Sequence, residues 1–376
     1  MKISVLFIFS VLITYSAYSQ TASHGILLSN KDEVLIRDGD NTPIKWGVNP
    51  AIQLDVYTSS QIGEIVTFYS DIDSLSFLIH PDSVYNFVVL QEGADSAYSQ
   101  VRYKPSYLDI LKTGGTYKTG TDEKIAFTYQ DSSHVALKEL REKYNLDSIA
   151  GSGNEFARMI NVLYWVHNLV PHDGQNENPA VKNAGDLISV CDKDDRGLNC
   201  RGLSTVLNEC YLAMGFKSRI LTCMPKDSVF RDCHVINVVY SNLAGKWLWL
   251  DPTNASYVMN SSGQMLGPAD VRQLLIDDEQ LILNPDANWN NKESTEIEYH
   301  LYYYMSKNLY RFKSPLRSEY NYETNGRGKL MEYVELLPVD GYNQTPKVTS
   351  VSSDFSGTTV KTYKTNSAKS FWAAPN

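Results

Sequence analysis

The stretch from residue 198 to residue 251 constrains the fold most, because its apolar periodicity changes from helical to extended within one short segment. Residues 200–214 repeat apolar side chains at intervals of three and four, which predicts an amphipathic helix that ends near Gly215. The segments 216–224 and 233–254 have the composition of strands, and the second predicts a hairpin with its loop at 241–245. A helix followed by antiparallel strands indicates an α+β arrangement.

The cysteine at the start of that helix is the first candidate for chemistry. Cys200 lies at or just before the first predicted turn. The positive end of the helix dipole and the free amides of a first turn both favour a thiolate over a thiol. The same amides could donate hydrogen bonds to an oxyanion formed when the sulfur attacks a carbonyl group. Position alone makes Cys200 a candidate nucleophile, which still needs a base.

The predicted hairpin supplies that base and a group to orient it. His234 stands near the start of the first strand, and Asp251 closes the second. A register that places His234 opposite Asp251 also places Ile236 opposite Trp249, and directly opposite residues share one face of a sheet. The carboxylate would then orient the imidazole with its other nitrogen toward Cys200, as in a thiol triad. A slip of one residue would separate the histidine and the aspartate onto opposite faces.

The chain resembles the transglutaminase-like superfamily in three ordered blocks: LNCRGLSTVLNECYLAMGFKSRI, CHVINVVY and KWLWLDPTN. The resemblance covers roughly residues 134–285. It implies a papain-like α+β core in which Cys200 is the nucleophile, His234 the base and Asp251 the residue that orients the base. Members of the superfamily include cross-linking acyltransferases, peptidases, amidases and non-catalytic modules, so the resemblance leaves the reaction open.

The predicted fold class is α+β, with a papain-like transglutaminase core whose cysteine helix packs on an antiparallel sheet bearing the histidine and the aspartate. Residues 126–285 are predicted to form this catalytic core. Residues 20–125 have the strand and turn pattern of an antiparallel β domain, which ends in a Gly-, Thr- and Lys-rich linker at 112–124. Residues 286–376 are predicted to form a helix-plus-β extension, with its helix at 295–310.

The first 19 residues predict export. Lys2 precedes an apolar run from residue 3 to residue 13, and small residues precede Gln20, which is the pattern of a secretory signal peptide. The apolar run is shorter than the roughly 20 residues that a membrane-spanning helix needs. The mature protein is therefore predicted to be periplasmic or secreted and not membrane-spanning.

Composition argues against several other classes of protein. The net charge is −9, and the absence of a lysine or arginine cluster argues against nucleic-acid binding. The five cysteines include no closely spaced pair, so neither a metal nor another cofactor is predicted. Whether Cys191, Cys223 and Cys233 form a disulfide stays open at this point, as does the oligomeric state.

Four further residues belong to or follow the helix predicted at 153–170. Two alternatives are predicted for Tyr164 and Trp165: they pack in the core, or one of them stabilises an oxyanion with a side-chain donor. His167 and His172 have no companion motif and are predicted to be structural or surface residues.

The predicted reaction goes through a thioester at Cys200. Water resolves a thioester unless the cleft excludes it, so hydrolysis of a peptide or amide bond is the favoured prediction. The predicted partner is a peptide, protein or cell-wall amide substrate. Two alternatives stay open: a protein-glutamine acyltransferase that passes the acyl group to an amine, and a non-catalytic binding or scaffold module that retains the triad.

Overall fold

The computed structural model describes residues 25–91, 96–114, 116–117, 125–227, 232–339 and 350–375. The predicted signal peptide, residues 1–19, lies outside the described residues, as does most of the predicted linker at 112–124. The chain divides into two compact units, Met1–Ser106 and Tyr107–Asn376. No helix within the described residues is long and apolar enough to cross a membrane.

The first unit consists of strands, because its sequence alternates apolar and polar side chains at every second residue. In the second strand, for example, the buried side chains of Val34 and Ile36 alternate with exposed ones. The strands are β1 Gly25–Ser29, β2 Glu33–Asp38, β3 Ile44–Gly47, β4 Asp55–Ser59, β5 Ile65–Tyr69, β6 Ser74–Leu78, β7 Val84–Gln91 and β8 Ala97–Tyr103.

These strands form two four-stranded sheets, ordered β1-β7-β8-β4 and β3-β2-β5-β6, around one apolar core. Phe68 is fully buried there and contacts the rings of Trp46, Tyr57, Phe77 and Phe87. The pairs β1–β7 and β4–β8 are parallel, so the unit is mixed and not wholly antiparallel as predicted. Each parallel pair joins strands that are not consecutive in the chain, and local turn signals do not encode such pairings.

The second unit contains both helices and strands. Its helices are α1 Tyr107–Thr113, α2 Val135–Lys143, α3 Leu146–Ala150, α4 Glu155–Leu169, α5 Ala184–Asp194, α6 Cys200–Ala213, α7 Pro268–Ile276, a π-helix Glu298–Met305, α8 Ser306–Asn308 and α9 Ala368–Phe371. Its strands are β9 Thr128–Tyr129, β10 Ser218–Met224, β11 His234–Ser241, β12 Lys246–Leu250, β13 Val258–Asn260, β14 Leu281–Leu283, β15 Asn288–Trp289, β16 Glu293–Ser294, β17 Arg311–Pro315, β18 Arg317–Ser318, β19 Leu330–Leu336, β20 Ser350–Ser353 and β21 Thr359–Thr365. The fold is thus mixed α and β, with several sheets.

The central element of this unit is a seven-stranded sheet ordered β12-β11-β10-β17-β19-β21-β20. All neighbouring pairs are antiparallel except β19–β21. Four of these strands come from the region predicted as a C-terminal extension, yet they continue the sheet that carries His234. The domain limits at 125 and 285 stay predictions.

Asparagine side chains begin three helices of this unit. Asn154, Asn183 and Asn199 precede α4, α5 and α6, and each accepts a hydrogen bond from the amide of the third helical residue. Caps of this kind stabilise a helix by about 1 kcal/mol. Every residue of α6 from Gly202 to Ala213 is buried, with α2, α4 and α5 around it and β10 and β11 beneath it. The first turn of α6 is therefore fixed in position.

The predicted helix at 295–310 forms, but as a different type. Its main part is the π-helix, followed by the short α8. A π-turn holds more residues than an α-turn and occurs frequently at functional sites. The wider turns place the rings of His300 and Tyr304 with their centroids 6.3 Å and 5.6 Å from that of His234.

Candidate active site

The site is built on the first turn of α6. Cys200 is the first residue of this helix and is half-buried. The side chain of Asn199 accepts hydrogen bonds from the amides of Arg201 and Gly202, at 3.1 and 3.3 Å. The amide of Cys200 itself has no acceptor within the described residues. A thiol and a free backbone donor therefore sit on one residue.

A second asparagine fixes the start of this helix. Asn178 donates to Oδ1 of Asn199 at 2.7 Å and accepts from the backbone amide of Asn199 at 3.1 Å. Residue 202 must be small for this contact, because a Cβ there would lie 2.6 Å from Oδ1 of Asn178. Gly202 thus permits the close approach that locks the residue before the cysteine.

His234 and Asp251 meet, although the predicted register is wrong. Nε2 of His234 lies 2.8 Å from Oδ2 of Asp251. The structure pairs Trp249 with Val238 and not with Ile236, which is a shift of two residues. A shift of two returns every side chain to the same face of the sheet. The two side chains therefore meet diagonally instead of directly across.

The carboxylate of Asp251 is fully buried and hydrogen-bonded at both oxygens. Oδ1 accepts from the amide of Thr253 at 2.9 Å, and Oδ2 accepts from Nδ2 of Asn254 at 3.2 Å in addition to His234. Burial by itself would raise the pKa of Asp251, but the imidazole and these donors hold that pKa below its usual value. The residue is therefore a buried anion that accepts a hydrogen bond from His234.

The thiol and the imidazole perturb each other in opposite directions. Burial disfavours the Cys200 thiolate, yet hydrogen bonds from the side chains of His172 and His234 and from the amide of Val235 lower the pKa of the thiol overall. Burial also disfavours the imidazolium of His234, yet the charges of Asp251 and Cys200 raise its pKa overall. These opposite shifts favour a thiolate on Cys200 and an imidazolium on His234.

A cavity of about 770 Å³ opens beside the thiol. Cys200 and His234 form part of its wall. Its aromatic residues are Trp289, Tyr299 and Tyr304, and its carboxylates are Asp232, Glu293 and Glu296. Asp232 pairs with Lys307, whereas Glu293 and Glu296 form no ion pair within the described residues. The wall therefore combines aromatic rings and carboxylates with the guanidinium of Arg201.

The sequence analysis missed two histidines at this site. His172 borders the same cavity as Cys200 and lowers the pKa of its thiol, a position that its prediction as a structural or surface residue did not include. His300 is buried, and its Nε2 lies 3.9 Å from Oδ2 of Asp251. Burial lowers the pKa of His300 to about 4 despite the nearby carboxylate, so this ring is neutral. Neither histidine has a sequence spacing that relates it to Cys200.

The other singled-out residues of α4 lie away from the cavity wall. The hydroxyl of Tyr164 accepts from Nδ2 of Asn284 at 3.4 Å, and the ring of Trp165 packs on Tyr144 at 5.6 Å between centroids. Neither side chain lines the cavity, and their support of an oxyanion stays a prediction. His167 is buried and structural, as predicted. Its Nδ1 lies 2.9 Å from the backbone carbonyl oxygen of Pro252, the residue after Asp251.

All five cysteines are free, so the disulfide left open by the sequence is not formed here. Cys233 borders the cavity beside Cys200, while Cys191, Cys210 and Cys223 are buried. Within the part of the chain that the structure describes, no group of three or more His, Cys, Asp or Glu side chains is arranged to hold a metal ion.

Comparisons with known proteins add distant structural neighbours. No family model matches the chain, and no curated protein matches it. A candidate cysteine protease from Cytophaga hutchinsonii matches with 12% identity and a TM-score of 0.27, over 69% of this chain and 83% of that one. A candidate protease from Parabacteroides distasonis matches with 16% identity and a TM-score of 0.22, over 50% and 40%.

The transglutaminase of red sea bream matches with 13% identity and a TM-score of 0.22, over 66% of this chain and 52% of that one. The chain thus spans about half or less of the length of the last two neighbours. TM-scores of this size carry no functional argument, so the function proposed below rests on the site.

Proposed function

We propose that this protein is a thiol enzyme of the transglutaminase-like kind that hydrolyses peptide or amide bonds through a thioester at Cys200. One observation carries the proposal: Cys200 and His234 line one cavity, and Nε2 of His234 lies 2.8 Å from the buried carboxylate of Asp251. The thiol and the imidazole also shift each other's pKa in the directions that favour a thiolate and an imidazolium. The three sequence blocks that resemble the superfamily contain the same three residues.

Acylation uses the ion pair directly. The thiolate attacks the carbonyl carbon of the bound amide, a C–S bond forms, and an electron pair moves onto the carbonyl oxygen. The amide of Cys200 is available to donate to this oxyanion. When the intermediate collapses the C–N bond breaks, and the imidazolium of His234 gives its proton to the leaving amine. A thioester and a neutral His234 result.

Deacylation reverses the proton path. Neutral His234 takes a proton from a water molecule, whose oxygen attacks the thioester carbonyl. The C–S bond then breaks, the carboxylic acid product leaves, and the thiolate and imidazolium are restored. Asp251 stabilises the imidazolium in both half-reactions and does not itself take the proton.

A second candidate reaction, acyl transfer to an amine, has one observation in its favour. The carboxylates of Glu293 and Glu296 at the cavity would attract a protonated primary amine, because opposite charges attract most strongly where water is partly excluded. Such an amine would take the place of water in the second half-reaction. The non-catalytic alternative is less favoured, because burying a charged His234–Asp251 pair is costly unless it serves a purpose.

Product analysis tests the proposal and separates the two reactions. The purified protein is incubated with a peptide mixture in ¹⁸O-water containing a labelled primary amine, and the products are identified by mass spectrometry. We expect new carboxyl termini carrying ¹⁸O, absent with the Cys200→Ala variant. Products carrying mainly the labelled amine would favour acyl transfer, and the absence of any Cys200-dependent product would favour a binding module.

We also propose that the protein works outside the cytoplasm, on the strength of residues 1–19. Expression of the full chain in a bacterial host, followed by mass spectrometry of the N-terminus in each cell fraction, tests this. Loss of about the first 19 residues in the periplasmic or secreted fraction is the expected result. An intact N-terminus confined to the cytoplasm would contradict it.

A further inference from the structure

The backbone of His172 is fixed next to the nucleophile. His172 forms a parallel bridge with Leu198, two residues before Cys200, and the amide of Asp173 donates to the carbonyl of Leu198 at 2.7 Å. Asn290 accepts from the amide of His172 at 2.6 Å and donates to its carbonyl at 2.9 Å. These backbone contacts hold His172 in place, and its ring lines the cavity.

The tautomer of His172 follows from its second partner. Nε1 of Trp289 lies 3.1 Å from Nδ1 of His172, with the two rings at 70°. An indole N–H can only donate, so Nδ1 must accept with its lone pair and the ring proton must be on Nε2. While this bond holds, the ring is neutral and has a single donor and no free lone pair. His172 can give a hydrogen bond but has no vacant nitrogen with which to take a proton.

The two histidines beside the sulfur are thus oriented by opposite chemistry. His234 donates through Nε2 to the carboxylate of Asp251, which favours its charged form and suits a proton carrier. His172 accepts at Nδ1 from Trp289, which leaves Nε2–H as its only donor, and His172 lines the same cavity as Cys200. The interaction with His172 lowers the pKa of the Cys200 thiol. The carboxylate of Asp251 thus suits His234 to carry a proton, whereas the indole N–H of Trp289 leaves His172 able only to donate a hydrogen bond.

We propose that His172 is a second catalytic histidine, a fixed and neutral donor whose Nε2–H stabilises first the thiolate of Cys200 and then the oxyanion of the tetrahedral intermediates. This rests on the thiol chemistry proposed above. The proton stays on His172 throughout, while negative charge moves from the sulfur to the substrate oxygen as the C–S bond forms. The amide of Cys200 supplies the other donor to that oxygen. Trp289 is a positioning residue, because it acts only through His172.

The test compares two electrophiles at Cys200, of which only one creates an oxyanion. A leucine-based peptide aldehyde adds reversibly to the thiolate and leaves a charged oxygen, whereas iodoacetamide alkylates the sulfur with loss of iodide and forms none. The variants are His172→Ala, His172→Gln, which keeps an N–H donor, and His80→Ala as the matched control at an exposed histidine of the first unit. Alkylation at pH 9 is followed by mass spectrometry, and protection by the aldehyde gives its Kd.

We expect His172→Ala to weaken aldehyde binding about 100-fold, the effect of losing one oxyanion donor, while alkylation at pH 9 changes less than threefold. His172→Gln should regain part of the loss, and His80→Ala should match the wild type. Aldehyde binding within threefold of the wild type in His172→Ala would overturn the proposal. So would an equal loss in the Ala and Gln variants.

The role of Trp289 is tested with Trp289→Phe, which keeps an aromatic ring and removes the N–H. Aldehyde binding should weaken about tenfold, since the tautomer and ring direction are no longer held. In the His172→Ala background the same change should have no further effect, because the two residues act through one hydrogen bond. Additive losses would overturn the positioning role.

These measurements do not depend on turnover. If no substrate is hydrolysed but aldehyde affinity still falls from the wild type to His172→Gln to His172→Ala, the donor role is supported and the proposed hydrolysis is contradicted. If peptides are hydrolysed but His172→Ala retains wild-type kcat and aldehyde affinity, the donor role is what failed. Where hydrolysis is found, His172→Ala should lower kcat about 100-fold with little change in KM.

Discussion

The two units of the chain differ in the kind of polar side chain that they bury. Among the described residues of the first unit, the buried polar side chains are four serines, Ser29, Ser59, Ser83 and Ser99. The second unit also buries ionisable groups. They are His167, Glu209, Arg219, His234, Asp251, Arg272, His300, Arg311, Glu323 and Glu335. The first unit is thus stabilised by apolar packing, whereas the second also buries groups that can carry a charge.

This difference indicates where chemistry is located in the chain. A buried charge without a partner costs several kcal/mol, and several of these groups have one: Asp251 bonds His234, Glu323 bonds Arg201 and Glu335 bonds Arg311. Such placement produces perturbed pKa values, which Cys200, His234 and Asp251 of the second unit have. Substitutions in the first unit should change stability alone, and those in the second should change stability and the site together.

The largest expected effect separates activity from stability. Replacing Cys200 by Ala removes the nucleophile, so hydrolysis should fall at least about 10⁴-fold. Unfolding should change little, because the side chain is small and half-buried. Turnover assays and thermal unfolding of the two proteins check this. Residual activity above a few per cent would place the reaction elsewhere.

A substitution in the core of the first unit should change stability and leave the site unchanged. Phe68→Ala removes a fully buried ring from the centre of its core and should cost about 3 to 5 kcal/mol of unfolding free energy there. The pH profile of Cys200 alkylation should be unchanged at temperatures where the chain is folded. Denaturant unfolding and labelling measure the two effects. A shifted labelling profile would break the division between the units.

One ion pair in each unit sharpens the comparison. Glu323 is buried, bonds Arg201 at 2.8 Å and accepts from the hydroxyl of Tyr333 at 3.0 Å, whereas Glu33 pairs with Lys45 on the surface. Glu323→Gln leaves the guanidinium without a counter-charge and should cost about 2 to 3 kcal/mol.

The matched Glu33→Gln change in the first unit should cost less than about 1 kcal/mol, because exposed pairs contribute little. Denaturant unfolding of both variants gives the two values. Equal costs would mean that burial of charge does not distinguish the units. The Glu323 variant should also lower the pKa of the Cys200 thiol, since Arg201 follows the cysteine directly in the first turn of α6 and its positive charge is no longer compensated.

The smallest expected effect is the pH dependence of the site. The pKa of Cys200 falls to about 6, so alkylation should decline as pH drops through 6, where the sulfur gains a proton. The pKa of His234 rises to about 10, so hydrolysis should decline above pH 10 while alkylation continues, because the general acid is lost and the thiolate is not.

Cys233 is the internal control for this profile, because burial and the charge of Cys200 raise the pKa of its thiol. Peptide-resolved mass spectrometry should therefore find Cys233 alkylated only at higher pH. In His234→Ala, labelling of Cys200 at pH 7 should slow about tenfold. Coincident profiles for the two cysteines would argue against an activated thiol.

Local sequence patterns were sufficient for the elements that carry the triad. The period of residues 200–214 predicted a helix with Cys200 at or just before its first turn. The structure begins the helix at Cys200, after the Asn199 cap. The strands at 234–241 and 246–250 followed from their composition, and their loop from its small polar residues. The predicted strand register was wrong by two residues, yet His234 and Asp251 still meet. Side chains two residues apart in a strand point to the same face of the sheet.

The sequence by itself thus determined which residues begin or end the elements of the site, since caps, periods and turns depend on near neighbours. Only the tertiary structure decided the contacts between distant segments. The bond between Trp289 and His172 spans 117 residues, and no local pattern encodes it. The same holds for His300 beside Asp251, for the C-terminal strands in the central sheet and for the parallel pairs of the first unit. These contacts depend on how whole elements pack, and packing is specified by the complete chain.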